Sequence, residues 1–509
     1  MQPCDAGAIV SKPAAAPCSA RAAPWVLAAT ILGSSLAFID GTVVNVALPA
    51  LQANLGATVV DVQWVIEAYS LFLAALLLVG GSLGDIYGRK RIYVAGVIVF
   101  AGASAFCGLA FDVTQLLVAR AVQGIGAALM VPGSLAILSA SFSERDRGWA
   151  IGTWSGFTSI TSAIGPVIGG WLIEHASWHW VFFINLPLAL IVVVLTLGHV
   201  PESRNTQAGQ APDWIGAILA TVGLGGVVFA LIESSNRGWD YRVVTAALVG
   251  VFALLAFVAV ETRKAAPLLP IRLFRERNFT GANLLTLFLY TALSATFFFF
   301  PLNLIQVQGY TATAAASALL PFIALMFVLS RWSGKLVARY GARRPLLWGP
   351  IVSSVGFALF AAPSIGGTYW ATFFPAVMML GLGMATTVAP LATTVMSSVG
   401  QEHAGLASGV NNAVARLAAV LAIALFGILM LGTFNRHLSR DLAVMNIPSE
   451  TRSQIDAQRI KLAAMKVPPE VRRSVDESFI AGFRLVMLVS AGLGLASAAT
   501  TGFLIRDER

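Results

Sequence analysis

The sequence predicts an all-α polytopic membrane protein whose helices fall into two related sets. Three observations predict it. Charged residues make up 11 % of the chain and hydrophobic residues 57 %, against about 25 % charged in an ordinary soluble domain. Apolar runs of the ~20 residues needed to cross a ~30 Å hydrocarbon core recur along nearly the whole length. Finally, the charged interruption Gly81-Ser-Leu-Gly-Asp85-Ile-Tyr-Gly88-Arg89-Lys90-Arg91 returns in weaker form at Gly334-Lys-Leu-Val-Ala338-Arg-Tyr-Gly341-Ala-Arg343-Arg344, 253 residues later.

Taken in order, residues 1–23 are Ala/Pro/Ser-rich and lack an apolar run ahead of the first span, so they read as a disordered cytoplasmic tail, not a cleaved signal. Apolar segments then fall at roughly 24–51, 61–83, 92–111, 114–138, 148–174, 179–200, 213–234, 242–262, 279–306, 312–337, 345–363, 369–396, 404–432 and 480–505, which makes fourteen helices. Lipid offers the backbone no hydrogen-bond partners, so such runs are helices. Lys and Arg crowd the loops on one side (Arg89 to Arg91, Arg145, Arg147, Arg204, Arg263 to Arg277, Arg343, Arg344), whereas the short loops of the other side carry only Arg237 and Arg242. The positive-inside rule makes the crowded side, with both termini, cytoplasmic.

Two connectors stand apart. Residues 261–280 form a basic, partly amphipathic stretch suited to the interface, with Arg272, Arg275 and Arg277 beside Leu269, Ile271, Leu273 and Phe274. The long loop 433–479 falls on the outer side. Pro448 and Pro468-Pro469 read as helix starts there and predict a small amphipathic helical hairpin.

The repeat extends beyond the loop. Gly124-Ile-Gly126 in the fourth segment is echoed by Gly381-Leu-Gly383 in the twelfth, 257 residues on. The reading is an N-terminal six-helix half (24–200), two extra helices and a cytoplasmic connector (201–278), and a C-terminal six-helix half (279–505). Repeated six-helix units with a substrate site near the midplane are a secondary-transporter architecture.

These residues resemble a known family over about 24–505. Asp40-Gly-Thr-Val-Val-Asn45-Val-Ala-Leu-Pro49, the loop 81–91, Arg120-Ala-Val-Gln123-Gly124-Ile-Gly126 and Gly165-Pro166-Val-Ile-Gly169-Gly170 are similar to motifs of the major facilitator superfamily. Within it, the chain resembles the fourteen-helix drug:proton antiporters of the QacA/EmrB type. The resemblance implies the major facilitator fold and proton-coupled efflux of small amphiphilic compounds across the cytoplasmic (inner) membrane. It implies protons, a small-molecule substrate and the lipid bilayer as partners, and it admits a periplasmic adaptor protein. Gly165, Pro166, Gly169 and Gly170 are the family's antiporter motif. Export of one endogenous metabolite or antibiotic stays open as an alternative, and a non-transporting receptor or enzyme is the remote one.

An ionisable side chain inside a span costs roughly 2.5–3.5 kcal/mol on insertion scales, which makes it functional by default. Asp40, near the middle of the first helix, is placed to exchange a proton, with Arg120 of the fourth as its neighbouring cation; a permanent ion pair that merely fixes the two helices is the other reading. Glu67 binds a cationic substrate, shares the proton relay, or simply reaches the outer interface. Asp85, Gly88, Arg89 and Arg91 are gating candidates, the glycine being required for a tight turn. Asn45, Gln123, Asn411, Asn412 and Arg416 are substrate-cavity candidates, and Glu233 and Arg331 are further charges at helix ends. Phe297 to Phe300 either line an aromatic pocket or face lipid. Asp85 matches Ala338 and Arg120 matches Val377, so the charged chemistry concentrates in the first half.

Other classes find no support. The net charge of +9 sits in short loops and does not argue for nucleic acid, and Cys4, Cys18 and Cys107 suggest no disulfide framework. Gly80-Gly-Ser82-Leu-Gly84 matches a hydrolase pattern, but a nucleophile elbow needs a strand-to-helix turn. No HExxH or Walker A sequence occurs, and neither a metal site nor a cofactor is expected.

Overall fold

The computed structural model describes residues 22–142, 144–204, 213–264, 271–399, 404–445 and 447–506. Every regular element among them is helical: α1 (Ala23–Leu55), α2 (Val59–Tyr87), α3 (Arg89–Gly108), α4 (Val113–Ser141), α5 (Glu144–His175), α6 (Trp180–Phe183), α7 (Asn185–His199), α8 (Trp214–Arg237), α9 (Tyr241–Arg263), α10 (Arg277–Gln306), α11 (Ala312–Ser317), α12 (Leu320–Tyr340), α13 (Arg343–Phe360), α14 (Tyr369–Thr372), α15 (Phe374–Ser397), α16 (Ala404–Val444), α17 (Ser449–Gln458) and α18 (Pro469–Leu504). Short 3₁₀ turns occupy Ile271–Arg275 and Arg459–Ala464.

Among the described residues, 12 helical stretches are long and apolar enough to cross a membrane. The two expected crossings outside that set are α5, with 32 residues, and α13, with 18. Helix α13 opens on Arg343-Arg344 and carries Ser353-Ser354 midway, which dilutes its apolar content, whereas the side chains of much of α5 lie outside the described residues.

Helix starts follow local chemistry. Thr58 and Asp61 cap α2 reciprocally: the Asp61 carboxylate accepts from the Thr58 amide at 2.7 Å, and the Thr58 hydroxyl accepts from the Asp61 amide at 3.1 Å. The side chains of Asp112, Asp213 and Asp240 accept from the amides of Gln115, Gly216 and Val243, starting α4, α8 and α9. Pro469 opens α18, where its missing N–H costs nothing. A single residue, Gly88 (φ 110°, ψ 126°), separates α2 from α3.

The predicted repeat is visible in how glycines let helices approach. A Cβ on Gly124 would lie 2.4 Å from the Tyr69 carbonyl of α2, and one on Gly126 would lie 2.5 Å from the Phe100 amide of α3. On α15 the corresponding glycines face the corresponding neighbours: Gly381 abuts Phe322 and Leu325 of α12, and Gly383 abuts Ser353 of α13. Gly88 and Gly341, 253 residues apart, both hold positive φ (110° and 75°).

The chain divides into two compact units, each with its own packing. Unit 1 comprises Met1–Val44, Ala68–Leu224 and Ala253–Leu268. Its apolar core joins Leu36, Tyr69, Tyr93, Phe100, Met130 and Val192. Unit 2 comprises Asn45–Glu67, Gly225–Phe252 and Leu269–Arg509. There the start of α2 docks on α8 and α16 through Val60, Val228, Ile232, Val420 and Ala424. Phe298, Phe299 and Phe300 are core residues of unit 2, with Phe300 packed on Phe360 and Phe373, and Phe297 is half-buried.

Loop 433–479 differs from the expected hairpin. The helix starts at Ser449 and Pro469 fall where the prolines predict, but α16 runs unbroken to Val444 and α18 continues straight into the last apolar segment. Their apolar faces continue onto the membrane helices, so no free-standing hairpin forms. The link is a buried 3₁₀ turn with Leu462 at φ 50°. It is tied down by Gln52 Nε2 donating to the Lys461 carbonyl (3.2 Å) and Arg472 donating to the Ala463 and Gln306 carbonyls (2.9 and 2.6 Å).

Candidate functional site

Unit 1 contains a buried charged centre. Asp40 of α1 and Arg120 of α4 are both fully buried, and Arg120 Nη1 meets Asp40 Oδ2 at 2.5 Å. Gln123, one turn along α4, closes the arrangement: its Nε2 donates to Asp40 Oδ1 at 2.8 Å while its Oε1 accepts from Arg120 Nη1 at 2.7 Å. Asn185, the first residue of α7, adds a second donor to Asp40 Oδ1 at 3.3 Å. It is steadied by Ser104 of α3, whose hydroxyl accepts from Asn185 at 3.0 Å and donates to the Phe182 carbonyl at 2.9 Å. The Tyr69 ring lies under the guanidinium, 4.4 Å from its carbon.

Asp40 thus accepts from three side chains, those of Arg120, Gln123 and Asn185. The guanidinium keeps two partners that do not depend on the Asp40 carboxylate, the Gln123 carbonyl oxygen and the Tyr69 face.

Helix α5 braces the site through the glycines of its Gly-Pro-x-x-Gly-Gly stretch. A Cβ on Gly165 would sit 2.8 Å from Thr42 Oγ1 and 3.3 Å from Ile39 Cα, and one on Gly169 would sit 2.1 Å from Val43 Cγ2. Those α1 residues flank Asp40, so the motif fixes the backbone that carries the carboxylate. Pro166 and Gly170 are buried in the same stretch.

The other expected residues are placed as follows. Glu67 is fully buried on α2, in unit 2, and neither carboxylate oxygen has a hydrogen-bond partner among the described residues. Asn45 is half-buried and also falls in unit 2. Asn411 Nδ2 donates to Thr286 Oγ1 (2.7 Å) and Asn283 Oδ1 (3.2 Å) of α10, which makes it a tie between α16 and α10. Asn412 is exposed and Arg416 half-buried. Glu233 accepts from Trp64 Nε1 (3.2 Å) and pairs with Arg237 (2.9 Å). The side chain of Arg331 lies outside the described residues.

The basic loop of unit 1 is neutralised in place. Arg89 pairs with Asp85 at 2.8 Å, and Arg91 reaches Glu202 at 3.7 Å. Glu202 also accepts from the amides of Lys90 and Ser203 (3.0 and 3.1 Å) and fills the space a Cβ on Gly88 would need, 2.7 Å away. Outside the membrane segments, Asp213 pairs with Lys264 and so clasps α8 to α9. Burial pushes its carboxyl up, but hydrogen bonds from Lys264, the Gly216 amide and Glu261 outweigh burial and hold it below its ordinary value.

Asn185, Ser104, Tyr69 and Glu202 were not singled out by sequence reasoning. A lone amide in Val181-Phe-Phe-Ile-Asn185-Leu-Pro187 and a carboxylate directly after the sixth apolar run were the signals available.

A family model described as Major Facilitator Superfamily matches residues 30–423. The chain belongs to the major facilitator superfamily. It is a multi-span membrane transport protein, not an enzyme. It is 33 % identical over 420 residues to the "Multidrug resistance protein Stp" of Mycobacterium tuberculosis (strain CDC 1551 / Oshkosh), covering 81 % of this chain and 78 % of that one. It is 30 % identical over 503 residues to the "Tetracenomycin C resistance and export protein" of Streptomyces glaucescens, covering 96 % of this chain and 93 % of the other. Among solved structures, a bacterial homolog of the human lysosomal transporter Spinster, inward-facing and unoccupied, superposes with a TM-score of 0.68 at 18 % identity over 96 % of this chain and 100 % of that one, a likeness of fold.

Proposed function

We propose that the chain is a proton-coupled antiporter that exports small amphiphilic compounds, drugs among them, across the cytoplasmic membrane, and that it is of the fourteen-helix QacA/EmrB type. The observation that carries this reading is the buried Asp40–Arg120–Gln123 centre braced by the α5 glycines. Protonation of Asp40 discharges the carboxylate and frees one arm of Arg120, while Gln123 and Tyr69 retain the guanidinium. The pair thus has two arrangements close in energy, and a proton biases one of two transporter states. Glu67, buried without a hydrogen-bond partner among the described residues, is the second proton carrier of this scheme.

Asp85, Gly88, Arg89 and Arg91 act as the cytoplasmic gate, and Asn45, Gln123, Asn411, Asn412 and Arg416 contribute to substrate contact. The loop cations set both termini in the cytoplasm. Helices α5 and α13 complete fourteen crossings. Supporting this, Gly165 and Gly169 hold α5 against the buried middle of α1, and α13 packs on both α15 and α18. Two six-helix halves, 24–200 and 279–505, then flank the pair α8 and α9 within 201–278. Names of the relatives quoted above support efflux. A second reading, export of one antibiotic-like compound, is favoured by the match of nearly the full chain to the tetracenomycin C exporter.

The deciding experiment is transport in proteoliposomes under an imposed pH gradient, with lipophilic cations, anions and zwitterions compared. Gradient-driven export by the wild type and its loss in Asp40→Asn is the expected result. Undiminished gradient-driven export by Asp40→Asn overturns the coupling assignment.

A further inference from the structure

We propose that the ends of α10, α13 and α18 in unit 2 form a binding site for the headgroup of an anionic phospholipid. Three elements bring cations to one place. The Asn278 side chain and the Arg506 backbone bond each other in both directions, at 3.2 and 2.9 Å, joining the start of α10 to the end of α18. Arg343 at the start of α13 donates to the Gly502 carbonyl at 2.8 Å, one helical turn before Arg506. The turn before α10 is folded onto it, with the Thr280 hydroxyl donating to the Phe274 carbonyl at 2.6 Å and the Phe274 and Phe279 rings edge to face. Arg272, Arg275, Arg277, Arg344 and Arg506 are all exposed around this junction and form no ion pair among the described residues; the one carboxylate described beside them is Glu276.

Unit 1 shows that this is not how the chain treats basic clusters in general. There, Asp85 and Glu202 answer Arg89 and Arg91 from within the protein. In the repeat, Ala338 takes the place of Asp85, and no described carboxylate is paired with these five arginines. Charge complementarity selects a phosphate. Its setting selects a lipid. Trp348 (60 % exposed) lies one turn beyond Arg344 on α13, and Phe503 (82 % exposed) lies just inside Arg506 on α18. An exposed aromatic one turn membrane-ward of an exposed arginine, on two packed helices, provides a seat for an acyl chain beneath a headgroup. The orientation proposed above decides only that the leaflet is the cytoplasmic one; the site itself does not depend on the transport assignment.

Thermal melting of the full-length protein in a neutral detergent tests this, with phosphatidylglycerol, phosphatidylcholine or inorganic phosphate added. The expected result is a saturable rise in Tm with phosphatidylglycerol alone. In Arg275→Gln/Arg277→Gln/Arg344→Gln/Arg506→Gln the half-saturating lipid concentration should rise about tenfold or more, since each such cation contributes measurably to anionic lipid binding. Arg436→Gln/Arg440→Gln, on α16, should leave it unchanged. Equal stabilisation by phosphatidylcholine or by inorganic phosphate overturns the proposal. If the fourfold variant fails to purify, native mass spectrometry of Arg277→Gln and Arg506→Gln singly replaces it. Retention of anionic lipid at the wild-type level by both then overturns the proposal.

Discussion

The two halves of the repeat share their helix packing and differ in their polar chemistry. In unit 1 one buried network between helices joins a carboxylate, a guanidinium and two amides: Asp40, Arg120, Gln123 and Asn185. In unit 2 the counterpart of α1, α10, is tied to α16 by neutral groups, Asn283, Thr286 and Asn411, and Arg120's counterpart on α15, Val377, is a fully buried apolar residue. Both networks hold helices together. Only the first contains an ion pair. The duplication preserved the small residues that set helix distances and left side-chain chemistry free to specialise.

The largest expected effect comes from breaking the charged side of this comparison. Asp40→Asn should abolish gradient-driven export while membrane insertion stays normal, whereas Asn411→Val should lower export only several-fold. Removing one partner of a buried pair costs about 3–5 kcal/mol because it strands the other charge. Arg120→Gln should therefore lower Tm markedly, and Asp40→Asn/Arg120→Gln should regain much of that stability without regaining coupling. If the double variant recovered export as well, the pair would be a structural tie, equivalent to its neutral counterpart.

Glycine substitutions sharpen the shared side. Gly126→Ala and Gly383→Ala should destabilise comparably, because each new Cβ would meet backbone at 2.5 and 2.4 Å. Gly124→Ala, which meets the Tyr69 carbonyl at 2.4 Å, should cost more than Gly381→Ala, whose nearest neighbour is a movable Leu325 methyl at 3.0 Å. Melting curves of the four purified variants decide both points. A smaller effect is expected of Gly88→Ala, which imposes strain of about 1–3 kcal/mol at positive φ and also collides with Glu202.

The smallest effect concerns the α8–α9 clasp. Asp213 is held below its ordinary value when folded, so it contributes stability that is complete above its unfolded pKa and disappears as pH falls through its folded one. Asp213→Asn should lower Tm slightly at neutral pH and flatten the acid-side decline in a pH series of melting curves.

Much of the site was legible because lipid makes it so. A carboxylate at position 40 and a guanidinium at position 120 are conspicuous inside apolar runs, and the glycine motifs announce close approach. Asn185 and Ser104 were not legible, since a single amide or hydroxyl in a span is common and only the meeting of α1, α3, α4 and α7 gives it a partner. Glu202 was hidden for a similar reason: its place against Gly88 depends on where the sixth crossing ends.

Composition and periodicity by themselves determined an all-helical membrane protein with a duplicated plan and a charged first half, because hydrocarbon admits few backbone solutions and makes each charge costly. Tertiary structure decided which polar groups touch. It joined Asn411 to Asn283 and Thr286 of α10, and gave Glu233 Trp64 and Arg237 as partners. It also drew the long loop into continuous helices. The reason is physical: hydrophobic burial is non-directional and can be read from sequence, whereas hydrogen bonds and ion pairs act over about 3 Å and exist only once helices have fixed their neighbours.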